Sequence, residues 1–196
     1  SPGWWHDSSA GFPLRLQAYL ELETEASTVH AFGGEVIPGL AQDSEYARIQ
    51  EINGGQNHES AEAFAQMRHR RQGRLDSDTN PLHADLVVTE GVLRRCEASG
   101  LRSQLEYLRK QSELPTVQLR IMTESAGIHG IAGGYTILEL PGHLEPVMYL
   151  EHPGGSVLIE DRTAVAKTLQ THLALPALDV DSSAKFLQEF IERQEK

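Results

Sequence analysis

The chain has 196 residues, 39% of them hydrophobic and 23% charged, enough for one domain with a sizeable core, or for one domain with a small appendage. A formal net charge of −11 works against a nucleic-acid-binding surface and against anionic membranes, both of which need clustered Lys and Arg. Cys96 is the only cysteine, which excludes an internal disulfide and a cysteine-based zinc site and fits a reducing compartment.

No apolar run reaches the length of a transmembrane helix and no signal peptide is recognisable, so a cytoplasmic location without membrane contact is expected. Residues 12–32 predict an amphipathic helix on Leu16, Tyr19, Leu22, Ala26 and Val29, ended by Gly33-Gly34 and blocked by Pro38-Gly39. Asp43 or Ser44 then predicts the N-cap of a short helix through Tyr46, Ala47 and Ile49, stopped at Asn53-Gly54-Gly55. A further helix is expected over residues 60–75, with Ala61, Phe64, Ala65 and Met67 near one face and a local basic patch of Arg68, Arg70, Arg71 and Arg74.

After a polar loop at 76–81, Leu86-Val87-Val88 marks a strand over 83–89. Two helical segments follow at 90–97 and 101–112, the second broken by Pro115, and then a strand at 116–122. Three more strands, at 135–140, 147–151 and 156–159, are separated by Pro141-Gly142 and Pro153-Gly154-Gly155, which predicts an antiparallel meander. Asp161 caps a helix to about Leu173, and Asp181 or Ser182 caps a last one over 184–193. The fold class expected is α+β: N-terminal helices followed by a largely antiparallel sheet of about five strands with packed helices. The organisation expected is a domain over 4–175, mainly helical at 4–75 and sheet-containing at 83–175, followed by a C-terminal helix at 176–196.

The segment Gly127-Ile128-His129-Gly130-Ile131-Ala132-Gly133-Gly134 invites a phosphate-loop reading, but a strand rather than a helix follows it and Gly-Lys-Ser/Thr is missing; a hairpin connection is the plainer expectation. Nine histidines are scattered with no His-Glu-x-x-His and no helix carrying two at i, i+4, so no metal and no cofactor are expected. Arg94 and Arg95 beside Cys96 would favour a thiolate, whereas burial is the commoner fate of a lone cysteine. Glu21, Glu23 and Glu25 read as a solvated helix face. More suggestive are Arg71 and Gln72 on one helix with Glu90, Arg94 and Arg95 on another, where Arg–carboxylate pairing would tie the helical part to the sheet, either as a structural network or beside a pocket for a small polar or anionic ligand.

The order of several of these pieces resembles a known family. Tyr19, Leu22, Glu23 and Ala26 fit Y-x-x-L-E-x-x-A, and Val36-Ile37-Pro38-Gly39-Leu40-Ala41-Gln42 with Tyr46-Ala47-Arg48 resembles V-P-G-L-L-Q-T-x-x-Y-A-R. Arg68, Arg71, Gln72 and Leu75 continue the pattern, as do Glu90, Leu93, Arg94 and Arg95, then Pro115-Thr116-Val117, the glycine-rich loop and Tyr149-Leu150-Glu151. From about Trp4 to Leu173 the chain is similar to the domain of unknown function that follows the helix-turn-helix in WhiJ-like actinobacterial regulators of the XRE (xenobiotic-response-element) type. Ala41 and Asp43 depart from that pattern, which has leucine and threonine there.

The resemblance implies a regulatory domain that senses a small molecule or a short partner protein, acts as a homodimer, and reaches DNA only through a helix-turn-helix that would precede Trp4. A free-standing biosynthetic enzyme on the same fold is the alternative, with His129, Glu124, Glu90 and Tyr135 as the titratable groups to inspect; a dimerisation scaffold is a third. Tyr46, Arg71, Gln72, Glu90, Arg94, His129 and Tyr135 are the expected ligand-binding residues, and no catalytic residue is expected.

Overall fold

The computed structural model describes residues 12–193, so the expected limits of the domain at Trp4 and residue 196 lie outside it. The expected helix over 12–32 ends early: α1 spans Leu14–Glu25 and is followed by a strand, β1, at Thr28–Gly33. Helical spacing and a strand buried on both faces look alike over so short an apolar run, and Val29 through Gly33 are all buried. A turn at Pro38 leads to α2 (Ser44–Asn53), whose N-cap is Asp43, its carboxylate accepting from the Tyr46 amide at 2.7 Å.

Helix α3 (His58–Gln72) starts two residues before the expected Ser60, because the Asn57 side chain caps it by accepting from the Ser60 amide. Strand β2 (His83–Thr89) follows, then α4 (Glu90–Ala98), α5 (Arg102–Gln111) and β3 (Val117–Met122). The meander is β4 (Tyr135–Glu139), β5 (Val147–His152) and β6 (Gly155–Ile159), and Asp161 caps α6 (Arg162–Leu173) as expected. The last helix, α7 (Val180–Glu192), is capped by Asp179 instead of Asp181 or Ser182.

Among the described residues the strands form one six-stranded sheet in the order β3-β2-β1-β4-β5-β6. The α+β class is as expected, but the sheet is mixed and has six strands where about five were expected: β1 pairs parallel with β2, and β2 with β3, whereas the pairings through β4, β5 and β6 are antiparallel. Parallel neighbours require crossovers, which α2 with α3 and α4 with α5 provide. The glycine-rich segment is therefore no hairpin. It leaves β3 at one edge and enters β4 on the far side of β1, crossing the carboxyl ends of the parallel strands.

Residue parity divides the core. Val29, Ala31, Leu86, Val88, Leu119, Ile121 and Leu138 face a large cluster with residues of α1, α4, α5 and α7. On the other face Phe32, Val87, Met122, Tyr135, Ile137 and Met148 meet Val165 and Leu169 of α6, with Leu175 just beyond it. Each fully buried aliphatic side chain stabilises this packing by about 1.5–3 kcal/mol. At the outer edge of β3, Ile121 donates its amide to Ser183 Oγ and accepts from the Leu178 amide, both at 2.9 Å. At the other edge of the sheet, Arg15 of α1 donates to the Ser156 carbonyl of β6 at 2.6 Å.

Candidate functional site

The three parallel strands end side by side, and just beyond them lies a cavity of about 340 Å³. Phe32 at the end of β1, Thr89 at the end of β2 and Met122 at the end of β3 form its base. The first turns of α4 contribute Glu90, Gly91 and Arg95, and the connection between β3 and β4 covers it with Glu124, Gly127, His129, Ile131 and Gly133. Crevices outside the carboxyl ends of parallel strands are where open α/β sheets bind ligands, because the loops there are free to vary while the strands hold their ends fixed.

The polar groups around this cavity are tied to one another. Thr89 Oγ1 accepts from the Val92 amide, capping α4, and donates to the Gly34 carbonyl at 2.9 Å. Glu90 accepts from Arg94 at 2.6 Å with one oxygen and from the Glu124 amide at 3.0 Å with the other, so it pins the start of the covering loop to α4. Arg94 also pairs with Glu124 at 3.3 Å, and its hydrogen bond to Glu90 raises its pKa. Arg95 donates to the carbonyls of Gly34 and Glu35 and meets the Glu35 carboxylate at 3.3 Å. The His129 ring lies edge-on to Phe32, with its centroid 5.7 Å away. The result is an apolar base, a rim of mixed charge, and the N-terminal end of α4.

Of the residues singled out in the sequence, Glu90, Arg95, Glu124 and His129 line this cavity, and Arg94 reaches it only through its ion pairs with Glu90 and Glu124. The others lie elsewhere. Tyr46 accepts from the Ile37 amide through its hydroxyl at 3.1 Å, and Gln72 donates to the Gln42 carbonyl at 2.6 Å, so both hold the turn at 34–43 in place. Arg71 does not reach Glu90. Its Nε and Nη2 fork onto Glu23 at 2.6 and 2.5 Å, Nη2 also reaches the Tyr19 hydroxyl, and the guanidinium lies over the Tyr19 ring. Tyr19 in turn donates to Glu23. Glu23 is thus buried, and the expected solvated face holds only for Glu21 and Glu25. Burial opposes the Arg71 charge, but Glu23 more than offsets it and raises its pKa. Cys96 is buried too, and burial pushes its thiol up to about 12, so Arg94 and Arg95 do not produce a thiolate.

Tyr135 belongs to a second constellation on the α6 side of the sheet. Its hydroxyl is 3.0 Å from Nδ1 of His172, in the last turn of α6. His30 of β1 places Nε2 2.5 Å from Glu139 of β4, and Asp85 of β2 holds both oxygens 3.0 Å from Arg120 of β3. His30 Nδ1 and His172 Nε2 face Asp85 Oδ2 at 3.6 and 3.3 Å, yet neither makes a hydrogen bond. A buried polar atom left unmatched costs about 1–3 kcal/mol. Burial alone would raise the Asp85 carboxyl, but His172, His30 and Arg120 together hold it well below the usual carboxylate range. Burial would lower the His30 imidazole, and Asp85 and Glu139 raise it instead.

Sequence reasoning missed Phe32, Thr89 and Met122 as cavity residues and the whole His30–Asp85–His172 set. The available signal was positional: strand ends in the first group, and polar residues inside otherwise apolar strands in the second.

Among solved structures, the chain is similar to TrmBL2, an archaeal chromatin protein whose structure shows a novel mode of DNA binding, at 16% identity and a TM-score of 0.31 over 80% of this chain. The similar region spans 46% of that protein. No curated protein matches the sequence significantly. A family model does match, over residues 16–189, which runs from within α1 to within α7 and takes in both constellations. The chain belongs to the family described as a domain of unknown function, DUF5753.

Proposed function

We propose that this domain is the ligand-sensing part of a helix-turn-helix transcription regulator and that it binds a small polar molecule in the cavity at the ends of β1, β2 and β3. The observation that carries this reading is the cavity itself. Its volume of about 340 Å³ suits a metabolite-sized ligand, and it combines an apolar base with a few polar groups converging from the end of β2, the start of α4 and the covering loop. Binding is favoured over turnover because Glu90, the best placed carboxylate, already accepts from Arg94 and the Glu124 amide and is not free to move a proton. The same contacts suggest how binding is transmitted: a ligand that engages Glu90 competes for the group that holds the covering loop at Glu124, and one that engages Arg95 competes for the group that holds the turn at Gly34 and Glu35. The regulatory context comes from the resemblance of the sequence to XRE-type regulators, in which DNA contact, dimerisation and a cytoplasmic setting belong to the whole protein.

Gly91 offers the test. A Cβ there would meet only ordinary contacts, Thr89 Oγ1 at 3.7 Å and Arg95 Nη1 at 3.8 Å, so a side chain fits and projects into the cavity. Gly91→Leu is expected to keep or raise the melting temperature, since leucine replaces glycine in a helix at a gain of up to about 1 kcal/mol. It is also expected to weaken at least tenfold any metabolite found by thermal shift against the wild type. In a form bearing the helix-turn-helix, the operator response to that metabolite disappears with it. A metabolite that still binds Gly91→Leu with full affinity would place the ligand site elsewhere.

A further inference from the structure

We infer that His30, Asp85 and His172 form a binding site for one divalent transition-metal ion, zinc by the chemistry of its ligands. The three donor atoms, His30 Nδ1, Asp85 Oδ2 and His172 Nε2, all lie within 4.8 Å of one another. Two of the separations are 3.6 and 3.3 Å. Ligands about 2.0–2.1 Å from a tetrahedral ion stand about 3.3–3.4 Å apart, so both histidine nitrogens stand from the Asp85 oxygen at close to the spacing of ligands on one ion. As hydrogen bonds the same contacts fail: one is too long, the other is out of line, and both imidazole nitrogens are left with no hydrogen-bond partner.

The surroundings are those of a metal site. A ligating histidine normally gives its other ring nitrogen to a carboxylate or another polar group, which fixes the tautomer and aims the free nitrogen at the ion. His30 does this through Glu139 at 2.5 Å and His172 through the Tyr135 hydroxyl at 3.0 Å. The ligating carboxylate is itself oriented, here by the two-pronged contact of Arg120. Arg120 is the one neighbouring cation among these groups, and Glu139 offsets it. His172 is fully buried and His30 and Asp85 are each 7% exposed, while the Glu139 side chain is 43% exposed and opens a way in from solvent. Two imidazoles and one carboxylate suit zinc better than calcium or magnesium, which favour all-oxygen sites. The fourth position of the ion is left for water. Because the ligands come from β1, β2 and the last turn of α6, the ion would clamp α6 to the sheet. This site lies on different residues from the cavity of the proposed function, and either reading stands without the other.

The test is calorimetric titration of the chelator-treated, refolded-free protein with zinc chloride, with melting temperature followed in parallel. Uptake of about one Zn²⁺ per chain with a raised melting temperature is expected. His30→Asn, with its fold checked by circular dichroism, is expected to lose the uptake. Glu139→Gln, at a half-exposed position that tolerates the change, is expected to bind roughly ten- to a hundredfold more weakly. Replacing the exposed His83, His143 and His152 together by Gln is expected to change nothing. No uptake by the wild type, full affinity in Glu139→Gln, or loss of uptake in the exposed-histidine variant would each overturn the site.

Discussion

Glu23 shows how much one side chain can depend on a residue far away in sequence. Its position in α1, between two exposed glutamates, marks it as a surface residue by pattern. It is only 3% exposed, however, because Arg71 forks onto it and Tyr19 donates to it. Removing one partner of such a buried pair leaves the other charge uncompensated. Glu23→Ala is therefore expected to cost about 3–5 kcal/mol, read as a lower urea midpoint at unchanged slope. The double change Glu23→Leu with Arg71→Met is expected to recover most of that loss, since neither charge is then stranded. An intact ligand response in the double variant would also separate Arg71 from sensing, in keeping with its distance from the cavity-lining residues. None of this was legible from spacing, because the pairing partner lies 48 positions along the chain.

At the scale of elements, local chemistry was readable wherever it decided the outcome. Asp43 caps α2 because its short carboxylate reaches the Tyr46 amide, and this much follows from residue type and position alone. Asp43→Ala is expected to lower stability by about 1 kcal/mol, while Asp43→Thr, the residue of the related pattern, stays within a few tenths because threonine also caps. Ala41, the other departure, is fully buried, so restoring leucine there is expected to overpack the turn by about 1–3 kcal/mol. Equilibrium denaturation of the three variants checks both statements. β1 was hidden for the opposite reason. A central strand covered on both faces has no polar alternation to betray it, so Val29-His30-Ala31-Phe32 merged with the helix before it. The missing strand also changed the sheet from antiparallel to mixed and turned an expected hairpin into the cover of a cavity. Glu90 and His129 were legible as candidates from their chemistry, whereas Phe32 and Met122 acquire their role only from where the topology ends their strands.

At the scale of the molecule, Cys96 reports on how the fold opens. It sits in α4 against the large cluster, 1% exposed, with its thiol pushed up to about 12 by burial. A thiol reagent reaches it only when the surrounding structure opens, so labelling near neutral pH is expected to run at least about a thousandfold slower than in concentrated urea. Fast labelling of the native protein would show that α4, which walls the cavity, detaches on its own. The ends of the sheet carry a different lesson. β3 gives its outer backbone groups to the Leu178 amide and the Ser183 hydroxyl, and β6 gives a carbonyl to Arg15. The first helix and the approach to the last one therefore stand as bookends to a single shelf of strands. Without either, a strand would offer its bare backbone to the next molecule, so what keeps this sheet from growing lies outside the sheet itself, in Arg15 on one side and in Leu178 and Ser183 on the other.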